Sequence, residues 1–289
     1  MEPSNVATYQ IGGFCFELNY SSEINIPGHF QLFQIDTGNP EYSYKLSCAD
    51  VLPAFPSDTA VCRNDFAVVS DVRGLETRML GVRGIPGYYA CYRELPEKRA
   101  EVTLLRSRLG GLSIDPFFTS LLALERRMLA RNNLILHCAF LLLGETAVLF
   151  SGPSGIGKST QAELWRKYRM AEIINGDRAL LRQIDKRWYA CGWPVCGSSE
   201  ICHNESAPIH SIVMLDQAKE NRVSKLSPMQ AFIQLYGQVT VNQWNNEAKE
   251  KAVSLLETIV TEIPVFHLRC DMTEDAVKCL EAALYTYGK

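Results

Sequence analysis

Residues 152–160 read Gly152, Pro153, Ser154, Gly155, Ile156, Gly157, Lys158, Ser159 and Thr160, which fits G-x-x-x-x-G-K-[ST] at every required position. In such a loop successive backbone N–H groups turn inward around an anion, where larger side chains would collide. The pattern lets Lys158 reach the terminal phosphates of a nucleotide and lets the Ser159 hydroxyl meet a magnesium ion. By average residue usage, a chain of 289 residues matches by accident on the order of once in a hundred. The flanks narrow the reading further. Thr146–Phe150 is a short apolar run, and Ser159–Arg169 carries neither Gly nor Pro. Strand, glycine loop, helix is the order the motif requires. ATP is therefore expected to bind at residues 152 to 160.

The approach to this loop constrains the fold. Leu134–Leu143 is a long apolar run, separated from Thr146–Phe150 only by Gly144-Glu145, so the two read as an antiparallel hairpin. A doubly wound fold brings in its first strand by a parallel βαβ layout instead. Beyond the loop helix, Met170–Ile174 reads as a strand ending at Asn175-Gly176-Asp177-Arg178. Leu180–Ile184 and Trp188–Ala190 form a second hairpin around Asp185-Lys186, and His210–Leu215 is a further strand. The last third is mostly helical, with starts at Ser227-Pro228 and Thr273 around a strand at Val265–Arg269. The expected class is α+β or α/β, with a mixed sheet at residues 113–289.

Residues 1–112 read as a separate, small antiparallel β-rich domain suited to substrate recognition. Phe14–Leu18, Phe30–Ile35, Phe66–Val69 and Val102–Leu105 alternate with turn signals such as Gly12-Gly13 and Pro27-Gly28. After Gly110-Gly111, one core-facing helix is expected from Asp115 as cap and Pro116 at its first position to Asn132-Asn133.

Composition excludes several classes. A net charge of −3 lacks the basic surplus of a nucleic-acid binder, and no apolar run is long enough to cross a bilayer. The N-terminal residues Met1 to Asn5 do not resemble a signal peptide, so a cytoplasmic location is expected. Ten cysteines then read as reduced thiols. Cys191, Cys196, Cys202 and His203 are spaced more widely and less regularly than structural zinc ligands. Oligomeric state is left open, homo-oligomers included.

Three neighbours of the loop can carry chemistry. Asp177 ends a strand after the loop helix, where a carboxylate meets magnesium or accepts a proton. Its competing reading is an ordinary turn aspartate. His137 sits in an apolar strand, where a satisfied core histidine is the alternative. Ser198, Ser199 and Glu200, in the loop from Gly192, can face phosphates or a second metal, or simply pack around Trp193. Arg178 and Arg222 are candidates for stabilising charge on a transferring group.

These residues together resemble the HPr kinase/phosphorylase family, whose nucleotide-binding fold is shared with phosphoenolpyruvate carboxykinase. The likeness rests on His137, the loop from Gly152 to Thr160, Gly176-Asp177-Arg178, and the order of the hairpin. It covers about residues 113 to 225 and is nearest to the shorter HPr-kinase-like proteins, some of which act as peptide kinases. The resemblance implies ATP- and magnesium-dependent transfer of a phosphoryl group to a hydroxyl of a peptide, protein or small molecule. Lys158 and the loop hold the nucleotide; Ser159, Asp177 and Glu200 are the expected metal ligands. Asp177, or less readily His137, accepts the proton. Two departures stand out: Gly176 replaces the first of the family's paired aspartates, and its Glu-containing signature is missing, with Glu200 standing roughly in its place. Two rival readings are a nucleotide-dependent accessory or chaperone module with little or no transfer, and a carboxykinase-type enzyme.

Overall fold

The computed structural model describes residues 4–55, 61–63, 65–113 and 115–287, with side chains at all of these except 61–63, 113, 115 and 287. The chain divides into two compact units, Met1–Leu124 and Glu125–Lys289. Both contain a large mixed sheet, which makes the protein a mixed α/β molecule.

In the first unit, nine strands among the described residues form one sheet. They are β1 (Ser4–Ile11), β2 (Phe14–Ser21), β3 (Gln34–Ile35), β4 (Tyr42–Ala49), β5 (Val61–Arg63), β6 (Phe66–Ser70), β7 (Glu76–Val82), β8 (Ile85–Leu95) and β9 (Arg99–Leu105). Their order is β3-β1-β2-β4-β9-β8-β7-β6-β5. The expected small antiparallel sheet is thus larger, and it is mixed, because β4 runs parallel to both β2 and β9. Long connections allow this: α1 (Gly28–Gln31) and β3 intervene before β4, and four strands are laid down before β9 returns to it. Alternate residues of β2 and β4 build the core, where the Phe16 and Tyr44 rings meet edge to face at 5.5 Å.

Two expectations fail here for identifiable reasons. Of the strand expected at Phe30–Ile35 only Gln34–Ile35 pairs, as β3: Phe30 and Phe33 are both buried, a helical spacing that a helical turn opening after Pro27 satisfies. The single helix expected from Asp115 breaks into α2 (Asp115–Ser120) and α3 (Leu124–Ala130). Leu121, Leu122, Ala123 and Leu124 are all buried, which no one helical face permits, and the chain turns at Ala123 with φ 47°. The capping role expected of Asp115 lies outside the described residues.

The second unit holds β10 (Leu134–Leu143), β11 (Thr146–Ser151), α4 (Lys158–Arg169), β12 (Glu172–Asn175), β13 (Arg178–Ile184), β14 (Arg187–Cys191), β15 (Ser206–Gln217), β16 (Arg222–Lys225), α5 (Pro228–Tyr236), α6 (Asn246–Glu262), β17 (Val265–Cys270) and α7 (Glu274–Tyr287). β10 and β11 form the antiparallel hairpin, and β11 runs parallel to β15, which runs parallel to β17. Ala147 and Leu149 face α5 and α6, while Val148 and Phe150 face α4 and α7. Burial on both faces explains why these strands read as unbroken apolar runs. In the helical last third the start of α6 was not marked; Asn245 caps it by accepting from the Ala248 amide at 3.0 Å. β12 begins at Glu172 rather than Met170, because Met170 closes α4 in the left-handed conformation with φ 54°.

Two topological features position the site. β10, β13, β14, β15 and β11 pair in turn until β11 returns to β10, a closed circuit of ladders. β12 and β13 both run antiparallel to β10, Asn175 opposite Phe140 and Arg178 opposite His137. They amount to one strand in a single register with β10, interrupted at Gly176 and Asp177; the register shift lies earlier, between Phe140 and Leu141.

Candidate functional site

β11 ends at Ser151, and the chain turns through the glycine loop into α4. Gly152, Gly155 and Gly157 have φ of 144°, 79° and 109°. Gly157 is the residue before the first helical turn, and its left-handed backbone is one that side chains with a Cβ adopt only under strain. Lys158 opens α4 and is buried, its Nζ donating to Gly152 O and Pro153 O at 3.1 Å each. Ser159 and Thr160, next along the helix, are exposed, as are Pro153, Ser154 and Gly155, whereas Ile156 is half-buried. The geometry suits an anion: main-chain amides at a helix N-terminus, a lysine and a hydroxyl. Gln217, at the end of β15, donates to Gly155 O and Ile156 O at 3.4 and 3.3 Å and braces the loop from the other side.

Across β10 lies the interruption at Gly176-Asp177. His137 Nε2 is 3.3 Å from Asp177 Oδ1, and Arg178 Nε is 3.1 Å from Asp177 Oδ2. Arg178 Nη1 also donates to Thr240 Oγ1 at 3.1 Å. The Ser151 hydroxyl donates to His137 O at 2.8 Å, tying this strand to the root of the glycine loop. Burial alone raises the Asp177 pKa, but the His137 hydrogen bond and the charges of Arg178, His137 and Lys158 prevail and hold it below the ordinary carboxylate range. Burial likewise draws the Lys158 ammonium down, against the opposing charge of Asp177. Each charge acts on the other. The structure therefore brings together four residues singled out from the sequence, His137, Lys158, Asp177 and Arg178.

Gly176 and Gly197 explain how Asp177 is held. A Cβ at Gly176 would lie 2.0 Å from Ser199 Oγ and 2.5 Å from Ser199 Cβ. Ser199 thus fills the space a side chain at 176 would need, and a second carboxylate there has no room. Gly197, with φ 61°, opens the short 3-10 turn Gly197–Ser199. A Cβ on it would approach Asp177 Cβ, Cγ and Oδ1 at 3.1 to 3.3 Å, so this turn forms a wall against the carboxylate.

Other expected residues lie apart. Glu200 is exposed at the end of that turn, with φ 55°, and forms no ion pair among the described residues. Arg222 is exposed on β16, opposite Arg269 in the ladder with β17. Cys191, Cys196 and Cys202 are reduced and buried, and Cys202 Sγ contacts Trp193 O at 3.3 Å. Among the described residues no group of three or more His, Cys, Asp or Glu can hold a metal ion. The Ser159 hydroxyl and the Asp177 carboxylate are both oxygen donors, the chemical type that magnesium takes.

Sequence reasoning missed Asn175, Gln217 and Thr240. Asn175 carried a signal, since an asparagine side chain commonly accepts from a backbone amide two residues on. Gln217 and Thr240 carried none, because their roles depend on strand order.

No family model and no curated protein matches this sequence. Several solved structures are similar, among them the HPr(Ser) kinase/phosphatase from Coxiella burnetii, at 11% identity, covering 54% of this chain and 99% of that one, with a TM-score of 0.33. Among the described residues no helix is long and apolar enough to cross a membrane.

Proposed function

We propose that the second unit is an ATP-dependent phosphotransferase that moves the γ-phosphoryl group to a hydroxyl of a peptide, protein or small molecule. One observation carries the reading: a lysine at the head of a glycine-loop helix shares an electrostatic field with an ionised Asp177 flanked by His137 and Arg178. Phosphoryl transfer is achieved mainly by positioning and charge stabilisation. The loop amides and the third N–H of Lys158 grip the β- and γ-phosphates. Arg178, held by Asp177 and Thr240, sets positive charge beside the group in flight. Magnesium, when bound with the nucleotide, neutralises developing phosphate charge. On this reading Asp177, or less readily His137, accepts the proton of the acceptor hydroxyl. On this reading the first unit recognises the acceptor, and the protein works in the cytoplasm.

The test is calorimetric and enzymatic. Wild-type protein is expected to bind ATP with magnesium and to label an acceptor from γ-labelled ATP. Lys158→Ala is expected to lose transfer by about 10³-fold or more, as removal of a phosphate-stabilising charge does elsewhere. Full turnover by that variant contradicts the mechanism. A nucleotide-dependent accessory module is the second reading. It is favoured by Ser199 occupying the space beside Asp177 that a second carboxylate would use. Tight ATP binding with no labelled acceptor would select it.

A further inference from the structure

We propose that Asn175 is a positioning residue for phosphoryl transfer, its side-chain amide locking the Asp177-Arg178 turn to the loop that starts at Trp193. The inference rests on the transfer reading above and adds a residue to it.

Asn175 is completely buried at the end of β12. Its Oδ1 accepts from the Asp177 amide and the Arg178 amide, both at 2.9 Å. Its Nδ2 donates to Trp193 O at 2.8 Å. Two donors converge on one end of the side chain and a carbonyl faces the other, so only one orientation of the amide satisfies the site. The interruption at Gly176-Asp177 makes this necessary. Between Phe140 and His137 the pairing with β10 lapses although the register is kept, and Cys138 N donating to Asp177 O at 3.0 Å is the main-chain bond that remains. Two amides that the ladder cannot serve are served by Asn175. A buried amide without a partner costs more than a hydrogen bond contributes, so the turn has strong reason to hold this shape.

What the turn holds is the charged cluster. Asp177 and Arg178 are the two residues whose amides Asn175 accepts, and their side chains contact His137 and Thr240. Trp193 begins the segment whose Gly197 abuts the Asp177 carboxylate. One side chain thereby couples both walls of the site without reaching the phosphates. The main chain of Asn175 pairs independently with Phe140 and Cys202, and those contacts survive a change of side chain.

The test compares wild type, Asn175→Ala and Asn175→Asp by amide hydrogen exchange, ATP affinity with magnesium, and steady-state transfer. In Asn175→Ala the Asp177 and Arg178 amides are expected to lose protection and kcat to fall about 10²-fold, with KM for ATP unchanged within about twofold. Asn175→Asp keeps the double acceptor but loses the donor to Trp193 O, so it is expected to retain protection at both amides and to lower kcat by about tenfold. Full kcat in Asn175→Ala overturns the proposal. So does a parallel loss of ATP affinity and kcat, which marks a purely structural role. If Asn175→Ala does not fold, Asn175→Asp decides: retained protection with abolished transfer overturns the proposal. If wild type transfers no phosphate, the function proposed above fails; unchanged exchange at the two amides in Asn175→Ala defeats the inference about Asn175 separately.

Discussion

At Gly176 the volume that a methyl group needs already belongs to Ser199, whose Oγ and Cβ would sit 2.0 and 2.5 Å away. The Gly176→Ala variant is therefore expected to lose about 1–3 kcal/mol of stability through overpacking. Adding Ser199→Gly removes both obstructing atoms and leaves Cys196 O, at an ordinary 3.5 Å, as the nearest neighbour. The double variant should then be more stable than Gly176→Ala alone, despite losing the bond from Ser199 Oγ to Cys196 O. Denaturant unfolding of the four proteins reads the coupling, and strictly additive losses would refute the steric account.

Asp177 supplies a second test at this scale. Its folded-state pKa is depressed, so its contribution to stability is complete above the ordinary carboxylate range, about pH 4, and is lost as pH falls through the lower folded value. The stability gap between wild type and Asp177→Asn should shrink below about pH 4 and stay level at neutral pH. A gap independent of pH down to acid unfolding would show that the contacts with His137 and Arg178 do not set the carboxylate. Single residues such as Lys158 and Asp177 were legible in the sequence because their roles follow from local pattern. Asn175 was hidden in plain sight: its residue type pointed to a turn, but its link to Trp193 depends on a contact across eighteen positions of chain.

Among the elements, α4 matters most, since its first residue is Lys158 and its buried face fixes where that lysine sits. Trp165, two turns on, is 1% exposed and lies against the Phe150 ring at 6.2 Å, directly under the strand that feeds the loop. Trp165→Ala is expected to cost about 3–5 kcal/mol. It should also weaken ATP binding, because the helix and strand that frame the loop lose their shared packing. Thermal unfolding and calorimetry on one preparation check both effects; weakened stability with unaltered ATP affinity would mean the loop is set by its own backbone. The hairpin β10–β11, the loop helix and the hairpin β13–β14 were readable from period and turn residues alone. What failed did so where burial overrode local pattern. Phe30 and Phe33 sought a helical spacing inside an alternating run, and four consecutive buried residues from Leu121 to Leu124 broke a helix that its apolar stripe favoured. The parallel placement of β4 could not be read at all, since long connections leave no local mark of strand direction.

For the whole molecule, each unit has its own sheet and its own buried core, so thermal unfolding is expected in two calorimetric transitions. Saturating ATP with magnesium should raise only the transition of the second unit, by about 2.7 kcal/mol of stabilisation at a hundredfold excess over Kd. A single transition that moves as one would show that the units melt cooperatively.

The circuit through β10, β13, β14, β15 and β11 has a bearing on how such a protein can change over time. Inserting or deleting one residue inside β10 or β15 would throw several neighbours out of phase together, and the circle could not reclose. Extra sequence is tolerable only at the rims, such as the Asp185-Lys186 bend, where both residues already adopt φ near 50–60° and no other strand depends on them. Lineages of this fold should accordingly differ in the length of that bend while keeping the spacing from His137 to Arg178 fixed to the residue.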